Sequence, residues 1–199
     1  MVSVCTAHVS NVLVLKISRL AHRTNPDITL IDWFLENGAN PDMACLTGTT
    51  PLTTAAAVSS LNIIRSILRS CASPTSLRRQ LLHFAARRTD AEAAAVVELI
   101  MDAVQPHINA RMWEGWPLAD ESYKLTGLGT HLHEAAKAGS AAVAEILLRH
   151  GIDVTISDSL GRTAYEVAEV YGNQRVLALL RDAARGPFSA NQNYVLRGT

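Results

Sequence analysis

The 199-residue sequence is short of aromatic side chains, of cysteine and of net charge, and each shortage removes a class of answer. Phe, Trp and Tyr make up only 5% of the chain although hydrophobic residues make up 48%, so Ala, Leu, Val and Ile carry the apolar content. That composition favours closely packed helices over a β-sandwich. Lys plus Arg number 18 and Asp plus Glu number 18, so no excess of positive charge is present to neutralise phosphates or to hold the chain on an anionic membrane. Nucleic acid and membrane are therefore not expected as partners. Cys5, Cys45 and Cys71 are odd in number, irregularly spaced and without a CxxC pair, which argues against a disulfide framework, a structural zinc site or any other metal. A reducing interior, cytoplasmic or nuclear, is the expected location. The first twenty residues, MVSVCTAHVSNVLVLKISRL, lack a basic leader and are interrupted by His8 and Asn11, so they are expected to form an amphipathic helix. No window approaches the roughly 18 to 20 uninterrupted apolar residues of a membrane span.

What is present is a repeat. "THLHEAAKAGSAAVAEILLRHGIDV" begins at Thr130, and "TAYEVAEVYGNQRVLALLRDAA" begins 33 residues later at Thr163. Without a gap, Ala135 falls on Ala168, Gly139 on Gly172, Val143 on Val176 and Leu147 on Leu180. An earlier copy, "GTTPLTTAAAVSSLNIIRSILRSCA", starts at Gly48, and a weaker one contains Leu82-His83-Phe84-Ala85-Ala86. "LIDWFLENGANPD" reproduces the second half of a unit, with Gly38-Ala39-Asn40-Pro41 where Gly151-Ile152-Asp153-Val154 stands later. A period in this range means that each local feature has to be read inside a repeating unit.

The pattern resembles the ankyrin repeat: a Thr-Pro-Leu-His helix start, a small-residue inner helix, a glycine, an outer helix ending in a leucine pair, and a finger. The resemblance covers roughly residues 8 to 186. It implies an all-α fold, an ankyrin-repeat solenoid of about five stacked helix-turn-helix units with short or irregular fingers. The units are placed at about 8–42, 43–75, 76–110, 128–157 and 158–186, a single domain over 1–186 with an inserted loop at 111–127 and a C-terminal tail at 187–199. Thr50 and Thr130 are expected as N-caps, and Pro51 suits the first helical position, where no hydrogen bond is lost. The alanine pairs at 55–56, 85–86 and 135–136 allow neighbouring inner helices to approach closely. Gly139, Gly151 and Gly172 are expected to end helices.

Three departures stand out. "RSCASPTSLRRQ" replaces the finger between Leu68 and Leu82, so one hairpin is expected to be missing. "RRTDAEAAAVVELI" carries about three extra residues, which predicts a longer inner helix. Residues 111–127, "RMWEGWPLADESYKLTG", insert a loop holding two of the three tryptophans.

Family members commonly bind proteins through the concave side formed by fingers and inner helices, so the resemblance implies a non-catalytic interaction module without cofactor. The expected partner-binding residues are Trp113, Trp116, Tyr123, Phe84, Arg87, Arg88, Glu134 and Lys137, with Met43, Thr54 and Val167 on the same face. Aromatics and arginines are common interface anchors. Trp113 and Trp116 could equally pin the long loop to the stack, and Arg87-Arg88 read as solvated helix positions rather than a nucleic-acid patch. The alternative is a repurposed scaffold with a small-molecule or catalytic pocket between the loop and the inner helices. Its titratable candidates are His131, His83, Asp120 and Glu121, together with His133. No P-loop, GxSxG or HExxH supports that alternative. Residues two apart on a helix are separated by about 200°, so His131 and His133 are not expected to share a metal.

Overall fold

The computed structural model describes residues 28–41, 49–71, 80–114 and 123–185, and every regular element among them is helical. The chain divides into two compact units, one of residues up to 85 together with 95–106, the other of 86–94 together with residues from 107 onward.

In the first unit, α1 spans Ile28–Glu36, α2 Pro51–Val58, α3 Leu61–Arg69 and α4 Leu81–Ala86, and α5, Ala93–Val104, contributes from residue 95. The start of α2 follows from its spelling. Thr50 N–H donates to Thr53 Oγ1 at 2.8 Å, Thr53 N–H donates to Thr50 Oγ1 at 3.0 Å, and Pro51 fills the first turn. This reciprocal box satisfies two backbone donors that a helix end otherwise leaves open. Ala55 and Ala56 are fully buried, as are Ile64 and Ile67 on α3, so the apolar face of each helix is covered by its neighbours. α3 packs on both α1 and α2, and Ser66 Oγ donates to Asp32 Oδ1 across the α1–α3 contact.

The expected longer inner helix in "RRTDAEAAAVVELI" is not what forms. α4 stops at Ala86 after six residues, and the extra residues make a turn instead. Asp90 organises that turn: its Oδ1 accepts from Glu92 N–H at 2.9 Å and from Arg88 Nη2 at 3.0 Å, and its carbonyl accepts from Ala93 N–H at 3.1 Å. An aspartate that bonds nearby backbone offers the chain an alternative to continuing the helix. The long helix is the next one, α5, with 12 residues.

The second unit holds α6, His131–Ala138, α7, Ala141–Arg149, α8, Ala164–Val170, and α9, Gln174–Arg185, with a one-turn 3-10 helix at Lys124–Thr126. α6 packs on α7 and α8, and α9 on α7 and α8, which is the pairing expected of two adjacent helix-turn-helix units. Val143, Leu147, Ala168 and Val176, matched at the 33-residue period, are all fully buried. Gly139 caps α6 with φ 74°, where only glycine is relaxed, and a Cβ there would stand 2.7 Å from Asn173 Oδ1. The same Asn173 donates Nδ2 to Ala136 O at 2.6 Å, so one unit closes the helix end of the other. Gly151 and Gly172 each lie one residue past the caps His150 and Tyr171, also at positive φ. The finger at 157–163 closes through an isolated antiparallel bridge between Ser157 and Thr163. The proposed N-terminal helix, the missing finger, Met43 and the C-terminal tail lie outside the described residues.

Candidate functional site

The start of α6 sets the site. Thr130 and His133 reproduce the box made by Thr50 with Thr53 and by Thr163 with Glu166, each time with a different residue at the fourth position. Thr130 N–H donates to His133 Nδ1 at 3.0 Å, so that nitrogen accepts and the ring proton sits on Nε2, which donates to Arg162 O at 3.0 Å. A neutral imidazole is what this geometry requires. Burial holds His133 below its usual range, and the Arg162 carbonyl and the nearby Asp158 and Glu134 carboxylates offset only part of that. Gly129 leaves room for the ring, since a Cβ there would overlap it.

His133 reaches the finger of the next unit, which is itself tied down. Asp158 Oδ1 accepts from Leu160 N–H and Arg162 N–H, both at 2.9 Å, while Oδ2 takes Arg162 Nη2 at 2.8 Å. Burial works against ionisation of Asp158, yet those donors together outweigh it and hold the carboxyl below its usual range. Ser159 N–H donates to Leu128 O at 2.9 Å and Leu128 N–H to Ser159 Oγ at 2.8 Å, which fastens the finger to the segment leading into α6.

One turn into α6, Glu134 is buried between two cations. It accepts from Arg87 Nε at 2.5 Å and from Lys137 Nζ at 3.0 Å. Lys137 Nζ also donates to Gly127 O at 2.6 Å, and Arg87 Nη2 lies 3.3 Å from Met112 Sδ. Met112 N–H in turn donates to Gly129 O at 2.9 Å. One end of the insertion is thus fixed to α6 and the other to the segment leading into it. Trp113 and Tyr123 close the base further, their rings stacked at 6.3 Å and 24°. Trp113 is buried and holds φ 63°, a backbone conformation that costs about 1–3 kcal/mol for a side-chain-bearing residue and that burial of the indole offsets. Gly127, at φ 77°, has no space for a Cβ, which would meet the Arg162–Asp158 ion pair.

The residues read as site candidates from the sequence divide accordingly. Arg87, Glu134 and Lys137 form one network, with Trp113 and Tyr123 beside it. Arg88 is buried against Asp90, and Val167 is fully buried in the core rather than on a face. His131 is buried with Nδ1–H donated to Ile108 O at 2.8 Å, so it and His133 serve different carbonyls. In the first unit His83 is buried, while Phe84 and Thr54 are half-buried. Trp116, Asp120 and Glu121 lie outside the described residues. Among the described residues no group of three or more His, Cys, Asp or Glu is placed to hold a metal ion, and no helix is long and apolar enough to cross a membrane.

The family model for the ankyrin repeat matches residues 132–159, from the first turn of α6 to the finger. The chain contains an ankyrin repeat at these residues. No curated protein shows significant sequence similarity to it. Ankyrin repeats serve in general as protein-interaction modules. The sequence alone does not single out Asp158 with Arg162, Met112 or Gly127. The Asp-x-x-Gly-Arg-Thr spelling from Asp158 to Thr163 was the available signal for the first pair. Nothing in the local sequence marks Met112 or Gly127 as the fixing points of the insertion.

Proposed function

We propose that the chain is a non-catalytic interaction module that binds another protein through its inner-helix face and the 111–127 insertion. The observation that carries this reading is the fixing of the two ends of the insertion to α6 and to the segment leading into it. Its two ends, held by Lys137 at Gly127, by Met112 at Gly129 and by the Trp113–Tyr123 stack, are preorganised, and preorganisation reduces the entropy lost on binding. Glu134 and His133 are held by cap and ion-pair partners, which gives them structural roles. Affinity capture from the cells in which the protein is expressed tests the proposal, using the whole chain and a Tyr123→Ser variant as baits. A partner protein recovered in stoichiometric amount by the parent and lost by the variant is expected. Recovery of no stoichiometric protein by the parent contradicts the proposal.

A further inference from the structure

We infer that the surface centred on Gly127 docks a short segment of another protein in which carboxylate and large apolar side chains stand close together. The inference rests on the protein-binding reading above and names the chemistry of the partner.

Gly127 joins two kinds of surface. Its carbonyl takes Lys137 Nζ at 2.6 Å, which brings in the Arg87–Glu134–Lys137 network. Its α-carbon faces the finger: a Cβ built there would meet the Asp158–Arg162 pair and lie 3.5 Å from Leu160 Cδ1. Of three cations, Arg87, Lys137 and Arg162, the last two therefore flank it directly and Arg87 joins through Glu134, so three cations stand with two carboxylates, Glu134 and Asp158. The carboxylates are hidden, with side chains 2% and 0% exposed, whereas the cations keep 46%, 18% and 29% of theirs in solvent. What this surface shows to a partner is positive, although the chain as a whole is neutral.

The same surface is apolar where it is most exposed. Leu125, on the 3-10 turn two residues before Gly127, is 80% exposed, Leu160 on the finger 47% and Tyr123 38%. Single exposed leucines are ordinary, but two leucines and a tyrosine on preorganised backbone beside a positive rim form the pattern of an interaction site. An acidic and apolar segment satisfies both parts. Its carboxylate pairs with Lys137 or Arg162, whose partners Glu134 and Asp158 are buried, and its apolar side chains cover Leu125 and Leu160. A nucleic-acid backbone fits less well, since the five charged side chains named above sum to only one positive unit.

Random peptides displayed on phage, selected against the whole chain at near-physiological salt, supply the probe. Enriched peptides are expected to carry Asp or Glu next to Leu, Phe or Trp, and to bind more weakly as salt is raised. Their affinity is then compared on Leu125→Asp and Leu125→Lys, which remove the same apolar contact and add opposite charges to a site too exposed to affect folding. The Asp variant is expected to bind roughly tenfold or more weakly than the Lys variant. Leu160→Asp and Leu160→Lys repeat the comparison on the finger. The inference is overturned if no peptide is enriched, if the enriched peptides lack acidic residues, or if the paired variants bind equally. It is also overturned if a single-stranded oligonucleotide displaces the peptides and responds to the same variants. Any of these results alongside a captured protein partner removes the acidic chemistry alone. Absence of a captured partner removes the protein-binding reading itself.

Discussion

Replacing His133 separates its cap function from its packing. In the fold it accepts the Thr130 N–H and donates to the Arg162 carbonyl, and it is almost fully buried. In His133→Ala, Thr130 N–H loses its acceptor, a cost of about 1–3 kcal/mol for a buried backbone donor. The Arg162 carbonyl loses less, because it still accepts from Asp158 N–H at 2.7 Å. With the space vacated by the ring included, about 2–4 kcal/mol is expected. His133→Gln should cost only about 1 kcal/mol, since glutamine at this position can accept from the cap as glutamate does. Glu166 shows that geometry in the next unit, where its Oε2 accepts from Thr163 N–H at 2.7 Å. The two variants also differ from the parent in acid. The folded-state pKa of His133 lies below its ordinary value of 6.5, so the unfolded chain takes up the proton first. The contribution of His133 is then complete above pH 6.5 and is lost as pH falls below it. Complete exclusion of the proton from the fold between pH 7.5 and 5.5 sets a ceiling of about 1.4 kcal/mol on this loss. Urea unfolding at both pH values, followed by circular dichroism, measures it. The parent should lose more stability than His133→Gln over that interval, and the difference cancels the titration of the other histidines. Equal losses would refute the neutral, buried cap.

Leu147→Ala should cost about 2–5 kcal/mol in a denaturant melt, because Leu147 is fully buried between α7 and its neighbours, and a cost near zero contradicts that placement. Asp158→Asn should cost about 1–3 kcal/mol at neutral pH, kept low in the range because the Arg162 guanidinium is partly in water. The Asp158 carboxyl lies below its ordinary 3.8 in the fold, so its contribution is present above that value and lost as pH falls through the folded one. The asparagine variant should accordingly show a shallower loss of stability in acid. Lys137→Met keeps the aliphatic stem but removes the donor to Gly127 O, and should speed amide hydrogen exchange at residues 125–128 with α9 unchanged. Unchanged exchange there would show that Lys137 does not hold the loop.

The helices were legible because their signals are local. Thr50, Thr130 and Thr163 mark three helix starts, each beside a residue able to return the hydrogen bond, and Gly139 marks one end. The buried positions at the 33-residue period were equally readable, since Val143 with Val176 and Leu147 with Leu180 repeat one pattern of burial. The extra residues after α4 are not legible as a turn, because Asp90 organises them by side-chain bonds that periodicity does not register. The candidate site was half visible. The sequence marks Arg87, Glu134 and Lys137 as separate surface residues, but their joining into one network depends on a separation of 47 positions between Arg87 and Glu134 that no local pattern encodes. Arg88, spelled the same as its neighbour, is buried against Asp90 in the turn that follows α4.

Hydrogen–deuterium exchange of the whole chain, alone and saturated with the protein recovered by affinity capture, tests the central claim most directly. A docking surface on the second unit predicts slower exchange at 123–129 and 158–162 in the complex. Protection confined to the outer helices α7 and α9, with those two segments unchanged, would contradict it.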